Sequence, residues 1–132
     1  LGEAYGFPVP EQLSRMVEQK KLGRKTGQGF YEWKNGKPVK EKSDQRVPPG
    51  LADRLLLPMV DEAVAVYRDR VVDDLDLLDA GVIFGTGFAP FRGGPVNYAR
   101  HRGIDDVTAS LEQLRQRLGE RFKPDEGWQE IR

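Results

Sequence analysis

Few side chains in this sequence of 132 residues could perform acid–base, nucleophilic or metal chemistry. Cysteine is absent, which removes disulfides, thiol catalysis and cysteine-type metal sites together. The single histidine, His101, stands between Arg100 and Arg102, next to a glycine that is placed to end a helix. Such a position predicts an exposed surface or capping role rather than that of a general base. We therefore predict no catalytic residue in this chain.

A group of carboxylates could suggest a calcium site: Asp73, Asp74, Asp76 and Asp79. An EF-hand presents its oxygen ligands along a loop, whereas these four side chains fall at helical spacings. They are better explained as solvated acids at the start of a helix. We therefore predict no metal-binding residue.

Two Gly-x-Gly patterns invite comparison with a dinucleotide-binding loop: Gly27-Gln28-Gly29 and Gly85-Thr86-Gly87. Such a loop follows a strand and opens a long helix within a βαβ unit. The residues before the second pattern, Asp74 to Phe84, carry a helical repeat instead. Both patterns are therefore predicted to be turns, and we predict no cofactor-binding residue.

The segment from Gly85 to Pro95 is predicted to be a shaped loop, because four glycines and two prolines occupy its eleven residues. Pro95 stands where proline favours the first position of a helix. Three glycines are expected to hold the turn geometry: Gly87, Gly93 and Gly94. Phe88 and Phe91 are expected to fill the space between the two flanking helices.

Apolar residues spaced three and four apart predict five helices. Their expected ranges are Pro10 to Lys20, Leu51 to Val71, Asp74 to Phe84, Pro95 to His101 and Asp105 to Leu118. Gly23 is expected to stop the first helix, Gly103 to end the fourth in a left-handed conformation, and Gly119 to cap the fifth. Asp73 or Asp74 is expected to cap the start of the third.

The second of these helices has a broad apolar stripe, which predicts a central helix with several neighbours. Pro58 lies inside it and is expected to remove one backbone hydrogen bond and bend the helix. The stripe contains Leu51, Leu55, Met59, Ala63 and Val66, widened by Leu56, Val60, Val64 and Tyr67.

A small β-hairpin is predicted near residues 30–39. Phe30-Tyr31-Glu32-Trp33 alternates, Asn35-Gly36 is a strong hairpin turn, and Lys37-Pro38-Val39 forms a poor return strand because Pro38 lacks an N–H donor. Its aromatic side chains are expected to lie on neighbouring helices. Together these signals predict an all-α helical bundle with one marginal hairpin.

The segment from Lys40 to Gly50 is polar and closes with Pro48-Pro49-Gly50, which predicts a linker. We place the boundary near residue 47, giving domains 1–46 and 47–132. A pattern near the start, Leu1-Gly2-Glu3-Ala4-Tyr5, returns as Leu118-Gly119-Glu120-Arg121-Phe122. Either this echo arises by chance, or the chain begins late in one repeat and ends at the same place in the next.

The charge balance gives no reason to expect nucleic acid as a partner, because 21 basic residues meet 21 acidic ones. Residues 20–46 are rich in basic side chains and residues 53–79 in acidic ones, which indicates two solvated faces, a docking surface or a weak site for an anionic ligand. No apolar run approaches the roughly 20 residues that cross a bilayer. The sequence therefore predicts a soluble protein of undecided compartment.

Several segments resemble the C-terminal helical domain of the 3-hydroxyacyl-CoA dehydrogenase family, in particular its second copy in the multifunctional alpha subunit of fatty-acid β-oxidation complexes. They are Leu55 to Ala63, the acidic segment 73–79, Gly85-Thr86-Gly87-Phe88 and Gly93-Gly94-Pro95. The segment from Leu22 to Tyr31 resembles the end of the first copy. These resemblances cover nearly the whole chain and follow the family's order.

The resemblance implies a C-terminal fragment of an enoyl-CoA hydratase and NAD-dependent 3-hydroxyacyl-CoA dehydrogenase. Enzymes of this family use a His-Glu pair and NAD bound by a Rossmann domain, and neither has a counterpart here, so we carry over no catalytic or cofactor residue. The implied partners are the upstream NAD-binding and first helical domains, with a thiolase subunit and acyl-CoA in the full complex. The implied location is the cytoplasm in a bacterium or an organelle in a eukaryote.

The role implied for this chain is structural, namely the packing of the second repeat on the first. Its leading segment, Leu1 to Trp33, would then have lost its original neighbours and would cover part of the second repeat or stay partly exposed. The alternative is a free-standing helical interaction module or a weak acyl-CoA-binding domain.

Overall fold

The computed structural model of the chain describes residue 6, residues 8–40 and residues 46–131. The chain divides into two compact units, residues 1–46 and residues 47–132. These ranges coincide with the two domains expected from the sequence, whereas their interpretation as parts of two repeats stays a prediction. The first copy of the sequence echo, residues 1–5, lies outside the described residues.

In its described residues, the first unit contains one helix, α1 (Glu11–Glu18), a 3₁₀ turn (Arg24–Thr26) and a hairpin of β1 (Glu32–Lys34) and β2 (Lys37–Val39). The strands pair antiparallel, with Trp33 opposite Pro38. Asn35 and Gly36 both have positive φ, at 51° and 73°, as a two-residue type I′ turn requires. The predicted hairpin is therefore confirmed.

The end of α1 differs from the prediction. The helix ends at Glu18, and Lys20 then adopts a left-handed φ of 57°. The N–H of Lys20 donates to Val17 O at 2.9 Å and that of Lys21 to Met16 O at 2.8 Å. These two bonds form a Schellman motif that satisfies the last carbonyls before the chain reaches Gly23. Gly23 therefore does not stop the helix.

The second unit contains four helices: α2 (Leu51–Arg68), α3 (Leu75–Thr86), α4 (Pro95–Arg102) and α5 (Ile104–Leu118). Three 3₁₀ turns join or follow them: Pro90–Arg92, Glu120–Phe122 and Glu126–Gln129. All five predicted helices are present, and the all-α fold with one small hairpin is confirmed. Within the described residues, no helix is both long and apolar enough to cross a membrane.

Helix α2 is the centre of the second unit and contacts the other three helices and the last 3₁₀ turn. Its buried side chains are Leu57, Val60, Ala63 and Val64. Leu55 was predicted to lie on the buried stripe but is 69% exposed. It lies about 200° around the helix from the fully buried Leu57, because each residue turns an α-helix by about 100°. The stripe prediction is therefore wrong at Leu55, and the predicted bend at Pro58 stays a prediction.

The segment after α5, for which the sequence predicted no structure, completes the core. Phe122, Trp128 and Ile131 are almost fully buried and belong to the same apolar cluster as the α2 side chains. The cluster also contains Leu78 from α3, Val96 and Ala99 from α4, and Val107, Leu111 and Leu114 from α5. The segment from residue 122 to residue 131 therefore packs as part of the domain.

The two glycine ends of α4 and α5 are only partly as predicted. Gly103 has φ 101° and ψ 119°, and Gly119 has φ 102° and ψ 177°, so both have positive φ. The predicted left-handed helical conformation at Gly103 is wrong, because its ψ is extended. Gly103 also begins α5, and the extended ψ redirects the chain from one helix into the next.

The loop between α3 and α4 has the predicted glycine geometry, with φ between 74° and 103° at Gly87, Gly93 and Gly94. Its two phenylalanines differ in burial. Phe88 is 6% exposed, whereas Phe91 is 84% exposed. Phe91 lies within the 3₁₀ turn, with the guanidinium of Arg92 5.4 Å from its ring centroid. The prediction that both rings fill the space between the helices is wrong for Phe91.

Truncation of the two rings should separate these environments. We expect Phe88→Ala to lower the free energy of unfolding by about 3–5 kcal/mol, because it leaves a cavity. Phe91→Ala, the matched control, should change it by less than about 0.5 kcal/mol. Urea unfolding followed by circular dichroism measures both. Equal losses from the two variants would contradict the burial of Phe88.

Candidate functional site

The N-terminus of α4 meets the side of α3 at a buried carboxylate. Asp79 is the only buried charged residue among those described, at 7% exposure. Its Oδ1 accepts from the backbone N–H of Val96 at 2.7 Å, and its Oδ2 accepts from that of Asn97 at 2.9 Å. We call this arrangement the α3–α4 junction.

The sequence of α4 explains why its cap comes from another helix. The residue before the helix is Gly94, which has no side chain to accept from the first turn. Pro95 has no N–H, so Val96 and Asn97 are the donors that remain to be satisfied. Asp79 accepts from both, although it lies 17 and 18 residues earlier in the chain. A helix N-terminus also carries positive partial charge, which favours a carboxylate there.

Two glycines let the junction close. Gly94 has φ 103°, and a Cβ at this position would collide with the side chain of Asp79. Gly93 has φ 74°, and a Cβ there would collide with the side chain of Asn97. The Nδ2 of Asn97 donates to Arg92 O at 2.8 Å and thereby holds the 3₁₀ turn against α4. Both positions therefore need glycine for conformation and for space.

The structure corrects the interpretation of Asp79 as a solvated acid. Asp73 and Asp76 are exposed, and Asp74 caps α3 by accepting from the N–H of Leu77 at 2.8 Å. Asp79, by contrast, lies four residues after Leu75 and three before Val82, on the predicted apolar face of its helix. That spacing was the signal in the sequence. In the described parts of the chain, no group of acids or histidines could hold a metal ion.

Burial raises the pKa of Asp79, whereas the two backbone N–H donors and nearby Arg100 act in the opposite direction. A raised pKa in a carboxylate is often a sign of acid–base catalysis. Here both oxygens are already engaged by main-chain donors. The geometry therefore fits a structural cap and not a proton-transfer group.

A partly buried carboxylate, Asp61, fixes the segment that follows α5. Asp61 on α2 accepts from Trp128 Nε1 at 2.6 Å and from the N–H of Asp125 at 2.9 Å. Arg68 binds Asp125 with two bonds, of 2.8 and 3.0 Å. Burial raises the pKa of Asp61. Burial would also raise the pKa of Asp125, but Arg68 and the N–H of Gly127 outweigh it and the pKa is lowered.

His101 is exposed, as predicted. Its Nδ1 donates to Asn97 O at 2.9 Å, and no carboxylate in the described ranges hydrogen-bonds to it. Its neighbour Arg102 has a different role, because it binds Asp53 on α2 at 2.7 and 2.9 Å and Asp106 on α5 at 2.6 Å. Arg102 therefore ties three helices together, while none of the described carboxylates forms a hydrogen-bonded pair with His101.

Helix α3 also presents apolar residues to solvent. Leu77 is 66% exposed and Phe84 is 90% exposed, and Gly81 is exposed between them. These residues are four and three apart and so share one face, which we call the α3 apolar face. The opposite side of the helix carries the buried Leu78 and the junction carboxylate. Helices with apolar residues on both sides are usually packed on both sides.

The fold and these contacts define a helical packing unit whose polar networks serve structure. No family model matches the chain. The chain is similar to the fatty acid oxidation complex alpha subunits of Idiomarina loihiensis, Shewanella sp. strain MR-4 and Vibrio cholerae O395. Over 130, 140 and 134 residues their identities are 31%, 34% and 34%, covering 89%, 94% and 92% of this chain.

The same matches cover only 18%, 20% and 19% of the relatives, so the chain spans about a fifth of their length. The chain is therefore homologous to part of the alpha subunit of fatty acid oxidation complexes, and the resemblance found in its sequence is confirmed.

Replacing Asp79 tests the junction. In Asp79→Asn, the side-chain amide group would face a backbone N–H, and two donors cannot form a hydrogen bond. We therefore expect the free energy of unfolding to fall by about 1–3 kcal/mol. Asp76→Asn on the exposed side of α3 is the matched control and should change it by less than about 0.5 kcal/mol. Equal effects of the two variants in chemical unfolding would exclude a buried cap.

The same pair of variants gives a pH test with a defined sign. The pKa of Asp79 in the folded protein is raised above 3.8, its ordinary value. Its contribution to the free energy of unfolding is therefore fully present below pH 3.8 and is lost as pH rises through the folded pKa. The difference in unfolding free energy between the parent and Asp79→Asn should therefore shrink as pH rises. A difference that grows instead would contradict the dominance of burial.

Proposed function

We propose that this chain forms the C-terminal part of an alpha subunit of a fatty acid oxidation complex and serves there in domain packing. The homology to such subunits and the one-fifth coverage of their length support this proposal. So does the character of the described polar clusters, which bind helices to one another and present no catalytic pair.

The observation that carries the packing role is the α3 apolar face. Burying a large apolar side chain contributes about 1.5–3 kcal/mol, so leaving Leu77 and Phe84 in water forgoes a substantial stabilisation. Nothing lies within 4 Å of a Cβ built at Gly81, so a partner's backbone could approach closely between the two larger side chains. This face therefore suits another domain of the alpha subunit.

The chemistry of the parent enzyme belongs to other segments in this proposal. The resemblance implies enoyl-CoA hydratase and NAD-dependent 3-hydroxyacyl-CoA dehydrogenase activities. A site for NAD does not fit the described residues, because their only sheet is the two-stranded hairpin and no βαβ unit is present among them. The chain would bind no cofactor itself, and NAD would be bound by the upstream domain.

The proposed partners follow from the same placement. They are the upstream NAD-binding and first helical domains of the same polypeptide, with a thiolase subunit and acyl-CoA in the complete complex. The relatives are bacterial, which supports a cytoplasmic location.

The packing of the leading unit on the second one remains a prediction: Leu13 and Val17 are about half exposed, while Tyr5 and Phe7 lie outside the described residues.

The isolated chain should not oxidise a 3-hydroxyacyl-CoA with NAD⁺, because it contains no His-Glu pair and no dinucleotide fold in its described residues. Absorbance of the reduced cofactor, followed with the purified chain, measures this directly. Turnover that survives repurification and exceeds that of buffer would contradict the proposal.

A charge on the α3 apolar face tests the packing role. We expect Phe84→Asp to leave the isolated chain within about 0.5 kcal/mol of the parent in unfolding free energy, because the ring is exposed. In a full-length alpha subunit the same change should lower the melting temperature and reduce dehydrogenase activity, because it buries a charge at a contact.

Leu55→Asp, at an exposed position on α2, is the matched control and should have no effect in either protein. If Phe84→Asp and Leu55→Asp behave alike in the full-length subunit, the packing role of α3 is wrong. A free-standing helical module would then be the better explanation.

A further inference from the structure

A cavity of about 440 Å³ opens beside the exposed side of α4 and the 3₁₀ turn before it. It is lined by Phe91, Arg92, Asn97, Tyr98, His101 and Arg102. The chain around it, residues 89–103, has four basic side chains and no acidic one, although the whole sequence has no net charge. The chain segment that surrounds the cavity is therefore basic.

The two arginines of the cavity differ in how their charge is compensated. Arg102 is paired with Asp53 and Asp106. Arg92 makes no ion pair with any described carboxylate. Its guanidinium lies 5.4 Å from the ring centroid of Phe91 and 6.0 Å from that of Tyr98. Two aromatic faces thus hold an uncompensated cation in place.

Two further groups of the cavity have hydrogen-bonding capacity to spare. The hydroxyl of Tyr98 accepts from Arg102 Nη1 at 3.2 Å, which leaves its own O–H able to donate. His101 uses Nδ1 to donate to Asn97 O, so its Nε2 is available at the cavity. Nε2 also donates when the imidazole is protonated. Together with Arg92, the cavity therefore has three donors when the imidazole is protonated, one on the 3₁₀ turn and two on α4.

We propose that this cavity binds the phosphate group of a small molecule. Three donors from separate side chains match the several oxygens of a tetrahedral oxyanion better than the two oxygens of a carboxylate. Arginine binds phosphate oxygens with two parallel N–H donors. The cavity is also larger than a phosphate and falls in the size range of ligand pockets, so it has room for the rest of a phosphorylated molecule.

This inference stands apart from the packing role, because it uses the exposed side of α4 and none of the residues of the α3 apolar face. It also assigns no catalysis, since every group named acts as a hydrogen-bond donor or as a cation.

Titration of the ¹⁵N-labelled chain with inorganic phosphate tests the proposal, with sodium chloride of equal ionic strength as the reference. We expect saturable shifts of the backbone amides between residues 91 and 102. Arg92→Gln should weaken binding about tenfold or more, because it removes a charged hydrogen bond. Tyr98→Phe should weaken it about two- to tenfold.

Arg117→Gln removes an exposed arginine elsewhere and is the matched control, which should leave the affinity unchanged. Amide spectra away from the cavity report whether each variant is folded. Shifts that fail to saturate, or that chloride reproduces, would overturn the proposal, as would equal weakening by Arg117→Gln and Arg92→Gln.

Discussion

The arrangement of the second unit depends on one buried carboxylate that must keep both of its oxygens hydrogen-bonded. An unsatisfied buried charge is costly, and the first turn of α4 supplies the two N–H donors that Asp79 needs. The same contact satisfies a helix N-terminus that has glycine and proline in place of a capping side chain. Fixing α4 against α3 in this way directs Val96 and Ala99 into the core beside α2.

Helix α2 is joined to the rest of the unit by polar contacts near both ends and in its middle. Asp53 binds Arg102 near the first turn, Asp61 binds the Trp128 indole in the middle, and Arg68 binds Asp125 at the end. Exposed ion pairs contribute little, but these contacts are partly buried and mostly bidentate or shared with backbone donors. They specify which segments pack on α2, while the apolar cluster supplies most of the stability.

The proposed function of this chain depends on its exposed surfaces, because the described polar clusters join its own helices to one another. The loop whose glycines close the α3–α4 junction has Phe88 inside the unit and Phe91 outside, where it lines the basic cavity beside α4. In the proposed function, homology to one fifth of a larger subunit explains why the apolar face is exposed in this chain. A fold alone would not, because similar helical bundles serve unrelated roles.

The sequence by itself determined the five helices, the Asn35-Gly36 hairpin turn, the positive φ of the loop glycines and an aspartate cap of α3 at Asp73 or Asp74, because each depends on residues a few positions apart. Tertiary structure decided why Asp79 is buried while Asp76 is not, why Leu57 is buried and Leu55 exposed, and why Trp128 binds a carboxylate 67 residues away. Periodicity states which side chains share a face. Packing against distant segments decides which face is buried. A local sequence pattern does not identify those segments.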